Sequence, residues 1–108
     1  MVEDFTEGML HDATPEDARN WLPQLKPHAI ATFREKAKSA AWKRIPSAYL
    51  VCEDDRAVPV ATQELIIKTI KEHGGEIDVE RLFVSHSPYI VKPKEVSDFI
   101  RRAAGEAV

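Results

Sequence analysis

Ile45-Pro46-Ser47-Ala48-Tyr49-Leu50-Val51-Cys52-Glu53-Asp54-Asp55-Arg56-Ala57-Val58-Pro59 decides the fold. From Tyr49 to Cys52 the run is short and apolar, with the aromatic and β-branched character of a buried strand, and it empties into an acidic turn. Pro59 precedes a segment from about Val60 to His73, where Leu65, Ile66, Ile67 and Ile70 make an apolar stripe wide enough to face a sheet. Gly74-Gly75 stops that helix. Leu82-Phe83-Val84 is the core of a second strand, which runs into the loop Ser85-His86-Ser87-Pro88. Pro93 starts a last helix, with Val96, Phe99, Ile100 and Ala103 inward and Gly105 at its end. The order strand, helix, strand, helix predicts an α/β fold in which two parallel strands are joined by a crossover.

Before Ile45 the pattern is different: two helical segments and no convincing strand. Thr14-Pro15-Glu16-Asp17 places Thr at an N-cap, Pro at the first helical position and acids in the first turn. That helix carries Ala18, Trp21 and Leu22 on one face until Pro23 interrupts it. Lys26-Pro27 opens a second, with Ile30 and Phe33 as an i, i+3 apolar pair. The basic stretch from Lys36 to Arg44 reads as a solvated helix face. The chain therefore divides into a helical segment, 1–44, and a strand-helix-strand-helix unit, 45–108.

Composition narrows the possible functions. The chain has 108 residues, room for one small domain. A net charge of −3 lacks the basic face that nucleic-acid binding requires. No apolar run approaches the roughly 18 residues of a membrane helix. The acidic start, Met1-Val2-Glu3-Asp4-Phe5, does not resemble a signal peptide. A single cysteine, Cys52, excludes an internal disulfide framework and suits a reducing compartment. The expectation is a soluble, cytoplasmic chain that binds neither nucleic acid nor membrane.

Topology gives the polar loops their meaning. In open parallel sheets, chemistry sits beyond the carboxyl ends of the strands. Asp55 lies just past the first strand and His86 just past the second, 31 residues later (86 − 55), which is what one crossover helix and one strand consume. Neighbouring strands run about 4.8 Å apart, so an Asp–His hydrogen bond is within reach. Such a bond fixes the imidazole tautomer and stabilises the imidazolium, which lets the ring act as general base and then general acid.

The residues that carry these features resemble a known family. Ala41-Trp42-Lys43-Arg44-Ile45-Pro46-Ser47, then Cys52-Glu53-Asp54-Asp55-Arg56-Ala57-Val58-Pro59 with Gln63 just after, then Ser85-His86-Ser87-Pro88 with Pro93 to follow, are similar to the C-terminal part of an esterase-type α/β-hydrolase. The likeness runs from about Ala40 to Ala104. It is strongest to fungal alpha/beta hydrolase fold-1 proteins and more distant to plant methylesterases and hydroxynitrile lyases. It implies a truncated α/β-hydrolase fold in which Asp55 is the triad acid, His86 the triad base, and the helical segment before Ile45 part of a cap. It also implies an ester-like small-molecule substrate, and triad chemistry calls for no cofactor. The bland alternative is that Asp55 is a turn residue after a strand and His86 a loop histidine.

The chain departs from that pattern in one decisive respect. The fold places its nucleophile in G-x-S-x-G, ahead of the acid and the histidine. None of the four glycines, Gly8, Gly74, Gly75 and Gly105, flanks a serine in that way. The loop that supplies the second oxyanion-hole amide is missing too, and one such donor is worth roughly 3–4 kcal/mol. The chain alone is expected to be inactive. Ser85 and Ser87 adjoin His86 too closely in sequence to serve as nucleophile and read as loop hydrogen-bonding residues. Cys52 reads as a buried, inert thiol. His11, His28 and His73 show no metal-ligand spacing and read as surface or capping residues. Trp21 and Trp42 read as packing residues, with cavity lining under a cap as the alternative.

Three expectations follow for the open strand edge that a half-sheet leaves. The chain is the tail of a larger hydrolase, or a stand-alone non-catalytic module that dimerises or binds a partner there, or one half of a pair restored by a complementing chain that brings the nucleophile.

Overall fold

The computed structural model describes residues 7–108; the start at Met1–Phe5, read above for a leader, lies outside them. In chain order the elements are α1 (Pro15–Trp21), α2 (Ala31–Arg34), β1 (Ser47–Cys52), α3 (Val60–Glu72), β2 (Ile77–Leu82), α4 (Pro88–Val91) and α5 (Pro93–Ala103). Short 3-10 turns fall at Leu22–Gln24 and Ala41–Lys43. The two strands pair in parallel with Ser47 opposite Ile77 and Cys52 opposite Leu82. Helix α3 makes the crossover between them and packs against both strands, and α5 packs against β1.

Local chemistry explains the boundaries. Thr14 Oγ1 accepts the Asp17 N–H at 3.1 Å and Pro15 sits in the first turn, so α1 begins where its cap predicts. Helix α3 ends at Gly74, whose φ of +81° suits glycine. Gly75 permits a close approach: a Cβ there would lie 2.6 Å from Ile70 Cγ2 and 3.0 Å from the Trp42 ring. Trp42 thus packs against the end of α3, with its ring edge-on to His73.

The core is thin. Leu10, Val51, Cys52, Ile67, Ile70 and Val84 are its buried apolar residues. A sheet of two strands explains where the expected apolar faces fall short. Only Gln63, Ile67 and Ile70 of α3 are buried, while Leu65 and Ile66 are 62% and 40% exposed. On α5, Val96 and Phe99 are half-buried but Ile100 and Ala103 are exposed. An ion pair helps to dock this helix: Arg102 Nη2 donates to Glu80 Oε1 at 2.7 Å, and that hydrogen bond holds the Glu80 carboxyl below its usual range.

Other expectations are corrected as well. The second strand ends at Leu82, the first residue of its predicted core; Val84 is buried just beyond it, but Phe83 is exposed. The helix predicted from Lys26-Pro27 is the single turn of α2; Ile30 at its N-cap and Phe33 within it, whose ring meets that of His28, stay exposed. The basic stretch Lys36 to Arg44 is solvated but is not a helix, apart from its one 3-10 turn.

Gln63 secures the end of β1. The N–H of Ser47 bonds to Glu76 O, and that of Glu53 to Leu82 O, so the odd-numbered residues of β1 face β2. The even-numbered residues Ala48, Leu50 and Cys52 therefore turn their backbone groups to the opposite edge, where no strand pairs among the described residues. At Cys52 the buried Gln63 amide takes the place of a neighbouring strand. Its Oε1 accepts the Cys52 N–H at 3.0 Å, and its Nε2 donates to Cys52 O at 2.9 Å and to Val58 O at 2.8 Å. Replacing Gln63 with Leu leaves those three backbone groups buried without partners, and each such group costs about 1–3 kcal/mol. We expect Gln63→Leu to lower stability by roughly 3 kcal/mol, read as a fall in the urea midpoint at constant slope. An unchanged midpoint would contradict this anchoring role.

Candidate active site

Beyond the carboxyl ends of β1 and β2, two loops meet. The acid loop starts where Asp54 N–H bonds to Val84 O at 3.1 Å, which extends the inter-strand ladder past Cys52. Asp55 then folds the chain back on itself: its Oδ1 accepts the Ala57 and Val58 N–H groups, each at 2.8 Å. That leaves Oδ2 free, and it lies 2.8 Å from His86 Nδ1. A carboxylate that already accepts two amides can only accept again, so His86 carries its proton on Nδ1 and presents a lone pair on Nε2. The Asp55 side chain is 4% exposed and that of His86 is 32% exposed. The carboxylate is sealed in while the imidazole stays accessible, an arrangement able to pass a proton to and from a molecule bound beside it.

A third segment, unexpected from the sequence, joins the site. His11, read as a surface or capping residue, is buried, with its side chain 6% exposed. Its Nε2–H donates to Asp54 Oδ2 at 2.8 Å. The adjacent Asp12 accepts the Ser85 N–H through Oδ2 at 2.8 Å. The signal was legible only as buried Leu10 next to a His-Asp dipeptide; nothing in its spacing points 43 residues ahead to Asp54. The other two histidines fit their reading. His28 is exposed beside Thr32, and His73 Nδ1–H donates to Thr69 O at 2.8 Å in the last turn of α3. Among the described residues no group of three His, Cys, Asp or Glu side chains could hold a metal ion.

The thiol is buried as the sequence suggested, but the Ser85 hydroxyl, read as a loop hydrogen-bonding group, has no partner among the described residues. Ser85 and Ser87 are buried, and neither hydroxyl is a hydrogen-bond partner of the His86 ring. Burial raises the Cys52 thiol above its ordinary range, and the carboxylates of Asp55 and Asp12 push it further the same way. Tyr49 is raised by burial first, then by Cys52 and Asp55.

The tryptophans part company. Trp21 lines a cleft of about 290 Å³ with Leu10, Leu25, Ser87, Tyr89 and Ile90, directly beside the His86 loop. Trp42 packs against Gly75 at the amino end of β2, where it also lines a hollow of about 100 Å³ with Ile45, Gly74 and Glu76. A larger hollow of about 500 Å³ runs along Ser39, Ala40 and Lys43 to Ile45, ahead of β1. It lies at the far end of the strands and holds neither an acid nor a histidine.

No family model matches the chain. Over 106 residues, 97% of its length, it is 35% identical to the "Alpha/beta hydrolase nvfD" of Aspergillus novofumigatus. The chain corresponds to part of an α/β-hydrolase. It is also 31% identical over 102 residues to the "Probable hydrolase R7" of a Phoma species. It spans 41% and 42% of the length of these two relatives. The α/β-hydrolase fold accounts for the parallel strand pair flanked by helices, and no helix among the described residues is long and apolar enough to cross a membrane.

The raised thiol yields a prediction. Thiolate, the reactive form, is depleted when the pKa rises, so Cys52 should alkylate far more slowly than free cysteine at pH 8. In urea the difference should vanish. Rapid labelling of the folded chain by iodoacetamide, followed by mass spectrometry, would contradict the burial and charge assigned to this thiol.

Proposed function

We propose that this chain supplies the acid and the base of an acyl-hydrolase active site to a serine carried outside these 108 residues. The observation that carries the reading is the 2.8 Å bond from His86 Nδ1 to an Asp55 carboxylate already fixed by two backbone amides. His86 Nε2 takes the proton of the serine hydroxyl as its oxygen attacks the ester carbonyl carbon. Asp55 stabilises the imidazolium that results. The ring then returns the proton to the departing alcohol, and a water molecule repeats the cycle to release the acid.

Several features support this reading. The cleft bounded by Trp21, Leu25, Tyr89 and Ile90 reaches Ser87, the chain neighbour of His86, and offers an apolar berth for the body of an ester. Residues 1–44 would then act as the cap, and 45–108 as the acid–base end of the sheet. No G-x-S-x-G occurs in the sequence, so the chain by itself would be inactive. Exposed Leu65, Ile66 and Phe83 and the unpaired β1 edge would be covered by the remainder of such a hydrolase. A cytoplasmic setting fits the lone free thiol.

The same open edge favours a second reading, in which the chain is a non-catalytic module whose β1 pairs with another protein or a second copy. A chimera separates the two. In it, this chain replaces the matching segment of the Aspergillus relative, and hydrolysis of short p-nitrophenyl esters is measured. We expect turnover that falls roughly 10³–10⁴-fold in His86→Ala and in Asp55→Asn. A folded chimera that is inactive while its parent turns over, or one indifferent to His86→Ala, would refute the catalytic reading in favour of the second.

A further inference from the structure

Two consecutive residues of the segment before α1 each grip a different loop of the site. His11 Nε2–H donates to Asp54, the neighbour of Asp55, and Asp12 accepts the N–H of Ser85, the neighbour of His86. With the Asp55–His86 bond, these contacts close a ring: His11 to Asp54, Asp55 to His86, Ser85 to Asp12. All three bonds are 2.8 Å long. Leu10, buried in the core, anchors the segment immediately before the ring.

The ring carries a cost. His11 Nδ1, Asp12 Oδ1 and Ser85 Oγ are buried with no hydrogen-bond partner among the described residues. Buried polar atoms are ordinarily satisfied, and exceptions gather where a structure holds groups in place for a function. An apolar pair at positions 11 and 12 would remove two of those unpaired atoms but would orphan the buried Ser85 N–H that Asp12 now accepts. What the polar pair adds is direction. It holds the Asp54 side chain on one side, and the Ser85 backbone on the other, of the hydrogen bond that sets the tautomer of His86.

We propose that His11 and Asp12 are positioning residues that hold the acid loop and the histidine loop in register, so that the orientation of His86 depends on a segment outside the strand-helix-strand unit. The catalytic consequence rests on the function proposed above; the structural one does not, and the two are tested separately.

The structural arm uses nuclear magnetic resonance of the 108-residue chain and follows exchange of the His86 ring N–H with water. His11→Ala and Asp12→Ala should speed that exchange by about tenfold or more while the far-ultraviolet circular dichroism stays native. Asp12→Asn keeps an oxygen for the Ser85 N–H, and His11→Gln keeps an N–H for Asp54; both should restore exchange to near the parent rate. Thr14→Ala removes the cap of α1 without touching either loop and should leave the signal unchanged. Should an alanine variant fail to fold, His11→Asn, too short to reach Asp54, gives the same comparison against His11→Gln. Equal exchange in the paired variants would overturn the proposal.

The catalytic arm uses the chimera. There His11→Ala and Asp12→Ala should lower kcat with KM nearly constant, by up to roughly 10²-fold for a displacement of about 1 Å. Altered exchange without any esterase activity in the chimera would leave the ring standing and remove only the catalytic reading. Activity that depends on His86 but ignores both variants would remove the ring.

Discussion

The amide of Gln63 is the point on which the rest of this small structure depends. A two-stranded sheet gives each strand only one neighbour, and the last outward backbone pair of β1 would otherwise be buried without partners. Gln63 reaches from the first turn of α3 to close that pair at Cys52, and with its second N–H it holds Val58 O. One side chain thus joins the end of the strand, the crossover helix and the acid loop. Val58 in turn donates its N–H to Asp55 Oδ1, so the position of the acid follows from the Gln63 amide through a single residue.

Polar bonds carry such weight because the apolar core cannot. The six buried apolar residues among those described, each contributing about 1.5–3 kcal/mol when fully buried, are few for a chain of this length. The loops beyond the strands are organised instead by directed bonds: the Asp55 turn, the Asp55–His86 pair, and the contacts of His11 and Asp12. Directed bonds fix orientation where apolar packing fixes only proximity. That distinction matters for the proposed chemistry, which would depend on which imidazole nitrogen carries the proton.

Much of this was legible in the sequence, for reasons that can be named. Local signals with a physical cause held: Thr14-Pro15 at a helix start, Gly74-Gly75 at a helix end, and an apolar run before an acidic turn. The contact between Asp55 and His86 followed from strand spacing and parallel topology, both set by short-range pattern. What periodicity could not show was the extent of the sheet. Leu65, Ile66 and Ile100 have the spacing of buried residues, yet a sheet two strands wide has no surface for them. His11 was misread for a different reason: its partner is 43 residues away, and a single polar contact at that distance leaves no periodic trace. Gln63 stood out in the motif, but its role came from the parity of the β1 backbone, which only the register reveals.

The claim at the centre of this account is that Asp55 fixes His86 with its proton on Nδ1 and its lone pair on Nε2. The direct measurement is the pair of ring ¹⁵N chemical shifts of His86 in the folded chain at a pH where the imidazole is neutral. The account predicts an Nδ1–H tautomer that is lost in Asp55→Asn. A ring that rests as Nε2–H, or one whose tautomer ignores Asp55, would contradict it.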